Sequence, residues 1–261
     1  MNPVRLLIVT AVDAERDAVG RGLSPAAPVA APGPPGRELL RLTCNGGVPC
    51  PDTHPMPSAA RRRPLTVDLL TGGVGPAAAA AATGAALALA AVRDEPYDLV
   101  VSAGIAGGFA PVAAVGSVVV ADRVIAADLG CETADGFLPV DSLGFGTSEY
   151  ACPPHLAAAV ARVLGAVHAP VLTVSTVTGT EERARMLQKS HGAAAEAMEG
   201  FGVAEAAAVH GTPILEVRTV SNPVGPRDRA AWRIPDALAA LRDAFAVLRP
   251  VLAHGAPPPY S

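Results

Sequence analysis

The chain has 261 residues, half of them apolar but only 3% aromatic, and a formal net charge of −4. That length permits one large α/β domain with a full core or two small domains, and one domain built mainly from Ala, Val and Leu is expected. Without a basic stripe there is no electrostatic footprint for nucleic acid or an anionic membrane surface, and no apolar run free of turn residues is long enough for a membrane helix.

Cys44, Cys50, Cys131 and Cys152 show no CxxC spacing and no neighbouring histidine pair, which argues against zinc and against a disulfide framework. No metal is expected, and the expected compartment is the cytoplasm. A Cys44–Cys50 bridge on oxidation is the minor alternative. Met1 to Val12 contains a short apolar run with no charged leader and no small-residue cleavage site, so it reads as a first strand and not as a signal peptide.

In chain order, Arg5 to Thr10 predicts a strand, and AVDAERDAV a tight turn and a helix, with Glu15 at the junction. From Ser24 to Pro64 proline, glycine and alanine crowd the sequence, which predicts an inserted surface loop with one short strand at Glu38 to Thr43. His54 has no partner in that loop, and Arg61 to Arg63 read as a solvated turn. Leu65 to Leu70 is a strand, TGGVG a glycine turn, and Pro76 to Val92 a helix with proline in its first turn. Tyr97 to Ser102 is a buried strand leading into a second glycine-rich turn, AGIAGGFAP, which matches neither a dinucleotide fingerprint nor a P-loop.

Gly116 to Ala126 predicts one long strand, and the unpatterned stretch Ala127 to Pro154 a loop whose tip covers a pocket. A helix follows at Pro154 to Leu164 and a strand at Val171 to Val177, then a polar helix capped by Thr180. The region AEAMEGFGVAEAAAVHGTPILEVRTVSNPVG organises the rest. It predicts an alanine-rich helix carrying Glu199, a strand from Ile214 to Val220, and Ser221 and Asn222 where that strand ends. Ligands of α/β proteins bind beyond the carboxyl ends of strands, so Asn222 is placed to read a small molecule. Ile234 to Leu252 is a last amphipathic helix, and the GAPPPYS tail is expected to be disordered. Residues 1–254 are thus one domain, a three-layer α/β/α sandwich with a central mixed sheet.

Taken in order, TAVDAE with Glu15, TGGVG, SAGIAGG, AMEG and VRTVSN resemble the landmarks of the purine nucleoside phosphorylase and nucleosidase superfamily. Within it, EVRTVSNPVGPRDRAAWRIPDAL is similar to the carboxy-terminal signature of the futalosine hydrolases, of an alternative menaquinone pathway. The resemblance implies hydrolysis of the N-glycosidic bond of futalosine to hypoxanthine and dehypoxanthine futalosine, without a cofactor. It implies a nucleoside-phosphorylase-like fold, a homo-oligomer, and a small-molecule nucleoside as the partner.

By the same resemblance Glu15 activates water, Glu199 beside Met198 grips the ribose hydroxyls, and Asn222 reads the base. Ile105, Ala106, Gly107, Thr176 and Val177 line the site, and Arg218 matches a family arginine that could equally pair with Glu199 or Glu216. Relatives that release adenine carry aspartate at the Asn222 position. An amide can both donate to a purine carbonyl and accept from a ring N–H, which favours a 6-oxopurine. Futalosine carries an aromatic carboxylate on its 5′ side, for which Arg227 and Arg229 are candidate cations and Trp232 a candidate wall. Two alternatives stand beside this reading: a phosphorylase acting on 6-oxopurine nucleosides, and an inactive nucleoside-binding protein.

Overall fold

The computed structural model describes residues 3–24, 26–44, 64–134 and 136–254. His54, Arg61 to Arg63, Cys50 and the GAPPPYS tail lie outside the described residues, and so do the expectations placed on them. The chain runs β1 (Val4–Thr10), α1 (Asp13–Leu23), β2 (Val29–Ala31), β3 (Leu39–Cys44), β4 (Leu65–Thr71), α2 (Pro76–Val92), β5 (Leu99–Gly108), β6 (Val118–Val120) and β7 (Arg123–Ala126). It continues with β8 (Gly130–Thr133), β9 (Gly136–Pro139), β10 (Glu149–Ala151), α3 (Pro154–Leu164), β11 (Val167–His168), β12 (Val171–Thr173), α4 (Glu181–His191), β13 (Ala195–Ala197), α5 (Gly200–Val209), β14 (Ile214–Pro223) and α6 (Ile234–His254).

Along the main path the sheet runs β10-β7-β12-β13-β5-β1-β4-β3-β2, with β14 pairing β5 and β6, and β6 pairing β11. It is mixed: β1 runs parallel to β4 and β5, while β13 is antiparallel to β5. Helices α1, α3 and α6 pack together on one face, and α2 and α5 pack together on the other. The expected α/β/α layers follow from the composition. The buried face of α2 is Ala79, Ala82, Thr83, Ala86, Leu87 and Ala90, small enough to let a helix lie close on its neighbours. Helix α6 buries a stripe of Ala237, Leu241, Ala244, Phe245, Leu248 and Leu252 at helical spacing.

Strand β5 is the hub. Its first half lies between β1 and β14, and its last two residues pair with β13. The AGIAGG stretch therefore continues the strand and does not turn, because β14 pairs it along its length and β13 pairs its last two residues. The single strand expected at Gly116 to Ala126 is two: β6 joins β14 and β11, whereas β7 joins β10 and β12, so the chain switches partners across Ala121 and Asp122. The stretch expected as a loop at Ala127 to Pro154 carries the β8–β9 hairpin and β10.

The proline-rich segment contributes more regular structure than its composition suggests. Strands β2 and β3 form an antiparallel edge on β4, with Arg41 opposite Asp68. Asp68 is fully buried; it accepts bonds of 2.7 and 2.8 Å from the Arg41 guanidinium and 2.7 Å from the Tyr97 hydroxyl. A buried carboxylate held at both oxygens makes this edge register-specific.

Candidate active site

Glu15 is the third residue of α1, and its side chain turns back to the strand end. Oε2 accepts from the backbone N–H of Ala11 (2.9 Å) and Val12 (3.2 Å), and Oε1 accepts from Ile105 N–H on β5 (2.8 Å). The β1–α1 turn thus aims a carboxylate at the neighbouring strand, with only 3% of the residue exposed. An ionised carboxylate has about four acceptor positions. With two of its bonds on Oε2 and one on Oε1, Glu15 keeps a position open on Oε1, the oxygen beside Gly104 and Arg218.

Gly104 leaves room for this pair. A Cβ at this position would lie 2.6 Å from Glu15 Oε1 and 2.8 Å from Arg218 Nη1, so a side chain here would displace one or both of those groups. Arg218 reaches the same point from β14, whose register sets Glu216 opposite Ser102 and Arg218 opposite Gly104. Its Nε donates to Glu216 Oε1 (2.8 Å), Nη2 to Ser102 Oγ (3.0 Å), and Nη1 to Glu199 Oε2 (3.2 Å) and the Ile105 carbonyl (3.4 Å). The choice left open between Glu199 and Glu216 resolves as both.

Glu199 does not sit within a helix. Ala195–Ala197 is strand β13, and Glu199 caps the start of α5, where Phe201 N–H donates to Thr173 Oγ1 at 2.8 Å. Pairing with β12 and β5 overrides the helix propensity of the alanines. Glu199 Oε1 accepts from Gly75 N–H in the first glycine turn (3.3 Å), which leaves acceptor positions for hydroxyl groups. Met198 beside it is half-buried.

One guanidinium therefore faces three buried carboxylates, Glu15, Glu199 and Glu216. Burial raises the pKa of Glu15 above the ordinary glutamate range, with Glu199 adding to the rise; the Arg218 charge and the Ile105 N–H oppose it. Burial raises Glu216 as well, against the pull of Arg218, and Glu216 Oε2 has no hydrogen-bond partner. Burial works against the charge on Arg218, but Glu216, Glu199 and Glu15 outweigh it and hold the guanidinium protonated. Such a cluster of buried carboxylates carries a negative field and suits a cationic centre.

Further along β5, Ala106 and Gly107 lie beside the end of β14, where a bulge between Val220 and Asn222 sets Asn222 opposite Gly107. The Cβ position of Gly107 is 3.4 Å from Asn222 Nδ2. Ser221 Oγ donates to Asn222 Oδ1 (2.8 Å) and Asn222 Nδ2 donates to the Pro223 carbonyl (3.0 Å). One amide hydrogen and one carbonyl lone pair remain for a ligand. Glu15 bonds Ile105 and Asn222 stands opposite Gly107, two residues on, so acid and amide share the rim of one strand within about 7 Å of backbone.

Thr176 and Val177 form an exposed strap after β12, tethered at both ends. Ser175 N–H donates to Asp128 Oδ2 at 2.7 Å, and Thr178 donates through N–H and hydroxyl to Glu196 at 2.8 and 2.5 Å. Glu196 on β13 lies opposite Gly107, which links the strap to the Asn222 end. Arg227 and Arg229 are exposed, 5.9 and 6.0 Å over the Trp232 ring, on the loop tied back by Arg233 N–H to the Ser221 carbonyl (2.7 Å). No bond joins them to the carboxylate cluster among the described residues.

Sequence reading missed the parts played by Ser102 and Glu196. Glu216 was available from the strand period, since it stands two residues before Arg218 on the same face.

Residues 65–251 match the family model of the phosphorylase superfamily. The chain is 58% identical to a futalosine hydrolase of Streptomyces coelicolor, over 95% of this chain and 97% of that protein. It is 45% identical to a futalosine hydrolase of Acidothermus cellulolyticus, over 94% and 90%. The chain belongs to the futalosine hydrolase family of the phosphorylase superfamily. Among solved structures, a 5′-methylthioadenosine/S-adenosylhomocysteine nucleosidase from Colwellia psychrerythraea in complex with adenine superposes with a TM-score of 0.72 at 21% identity, covering 96% of this chain and 95% of that one. A futalosine hydrolase mutant of Helicobacter pylori gives 0.72 at 14% identity, over 94% and 98%. Those two likenesses concern the fold; membership of the futalosine hydrolase family rests on the sequence relatives.

Proposed function

We propose that this chain hydrolyses the N-glycosidic bond of futalosine, releasing hypoxanthine and dehypoxanthine futalosine. The observation that carries the mechanism is the Glu15 carboxylate, buried, bonded by backbone N–H groups, and set across Gly104 from Arg218. Glu15 takes a proton from water at its open Oε1 position as the water attacks the anomeric carbon. Glu199 accepts the ribose hydroxyls, and the excess of carboxylate over guanidinium stabilises the oxocarbenium-like sugar. Arg218 is a strut that fixes Glu199 and borders the water position.

Asn222 donates its free amide hydrogen to the hypoxanthine carbonyl and accepts from a ring N–H, with Ser221 orienting the amide. An amide is not an acid, so the proton for the departing base comes from water. Ile105, Ala106 and Gly107 supply the backbone wall, and Met198, Thr176 and Val177 the apolar and polar flanks. Arg227 and Arg229, with Trp232, stand on the loop tied to Ser221 at the Asn222 end, away from Glu199.

We place the enzyme in the cytoplasm, in menaquinone biosynthesis, as a homo-oligomer. Exposed Leu129, Phe137, Leu138, Leu143 and Phe145 on and around the β8–β9 hairpin support a surface that a second copy covers. Among the described residues no helix is long and apolar enough to cross a membrane. The test is hypoxanthine release from futalosine and inosine, and adenine release from methylthioadenosine, all without phosphate. Futalosine is expected to turn over fastest, and phosphate to add nothing. Faster cleavage of methylthioadenosine refutes the role given to Asn222, and turnover that requires phosphate refutes hydrolysis.

A further inference from the structure

The proline-rich segment, read from sequence as a surface insertion, reaches the candidate active site. Arg37, on the turn before β3, donates through Nη1 to the Thr71 carbonyl at 3.1 Å. Its Nη1 and Nη2 lie 3.2 and 3.3 Å from the Cβ position of Gly73, so the guanidinium rests on the first glycine turn. Two residues further, at most about 7 Å along the chain, Gly75 N–H bonds the ribose-site carboxylate Glu199.

The turn is held in place from two sides. Glu38 pairs with Arg16 at 3.0 Å, next in sequence to Glu15, and Arg93 Nη1 donates to the Pro32 carbonyl at 2.8 Å. Arg37 itself is exposed and has no carboxylate partner among the described residues. The nearby Asp13 carboxylate is engaged by Arg16 at 3.0 Å and the Thr71 hydroxyl at 2.7 Å. Val74, next to Gly73 in the same turn, is an exposed apolar residue (58%). A guanidinium held over the turn by the Thr71 carbonyl and without a carboxylate partner among the described residues suits a ligand carboxylate.

Asn222 marks the base end and Glu199 the ribose, so a substituent extending past the ribose away from the base meets the glycine turn. Arg227 and Arg229 are instead tied, through Arg233, to the Asn222 end. On the reading of the substrate as futalosine, we propose that Arg37 is the specificity-determining cation that binds the carboxylate on the 5′ arm.

The experiment compares futalosine with its methyl ester, which keeps the size and removes the charge, in the full-length wild type, Arg37→Ala, Arg37→Lys and Arg227→Ala/Arg229→Ala. Expected is a fall in the acid-to-ester ratio of kcat/KM of roughly 10- to 100-fold in Arg37→Ala. The fall should come through KM, with partial recovery in Arg37→Lys. A ratio equal to the wild type's in Arg37→Ala, whether both rates drop or neither does, overturns the inference. So does a ratio that collapses only in the Arg227/Arg229 variant, or a phosphate stimulation of the wild type that Arg37→Ala abolishes. A wild type that cleaves neither compound sinks the futalosine reading together with this one, whereas cleavage with an unmoved ratio sinks this one alone.

Discussion

Glu15 combines two demands that pull against each other. Burial favours its neutral form, yet a water-activating base must be ionised, and Arg218 with the Ile105 N–H supplies the compensation. Since the pKa stays raised, kcat/KM should fall as the pH drops through a value above the ordinary glutamate range, seen as the acid limb of a pH–rate profile. The linkage to stability has the opposite sense. A carboxyl that binds its proton more tightly when folded favours folding at acid pH, and that contribution is lost as the pH rises through the folded pKa. Glu15→Gln should lower turnover on the order of a thousandfold, remove that limb, and leave hypoxanthine binding measurable by calorimetry. At the other end of the site, Asn222→Asp replaces a donor with a charge. It should cut futalosine kcat/KM by about tenfold or more and shift the ratio of the two released bases toward adenine.

At the scale of elements, β14 sets the cluster, because strand alternation puts Glu216 and Arg218 on one face against Ser102 and Gly104 of β5. Every nitrogen of the Arg218 guanidinium is engaged, so lysine cannot replace it. Arg218→Met should cost about 3–5 kcal/mol in a urea titration, because it strands buried carboxylates. Helix α4 offers a smaller test. Thr180 Oγ1 accepts from Arg183 N–H at 3.2 Å, and Thr180→Ala should destabilise by about 1 kcal/mol. As Gly179 joins this cap to Thr178, on which the 175–178 strap is anchored, proteolysis at Thr176 and Val177 should also quicken.

For the whole molecule, the question is what covers the hairpin at residues 130–139. Phe137 is 39% exposed and Phe145 70%, in a chain with five phenylalanines. If a second copy covers them, Phe137→Asp/Phe145→Asp should sediment as a monomer with unchanged far-ultraviolet dichroism. The wild type should sediment as an oligomer at the same concentration. A wild-type monomer overturns that assembly.

Much of this protein is legible from sequence because it depends on local rules. The helix at Pro76 to Val92 begins and ends where proline and apolar run say, Thr180 caps its helix, and the apolar run from Ile214 onward is a buried strand. The motifs also named the residues that converge, Glu15, Glu199 and Arg218, and left Asn222 on the same strand rim. What local rules do not contain is pairing between distant segments. Strand β13 is made of residues that favour helix, AGIAGG extends a strand because β13 and β14 flank it, and the Gly116 to Ala126 run divides because it changes partners. The edge formed by β2 and β3, with Arg37 lying on a glycine turn 36 positions later, rests on the backbone ladder to β4 and on Asp68 buried against Arg41. Such contacts are set by non-local hydrogen bonding and desolvation, which no window of adjacent residues encodes.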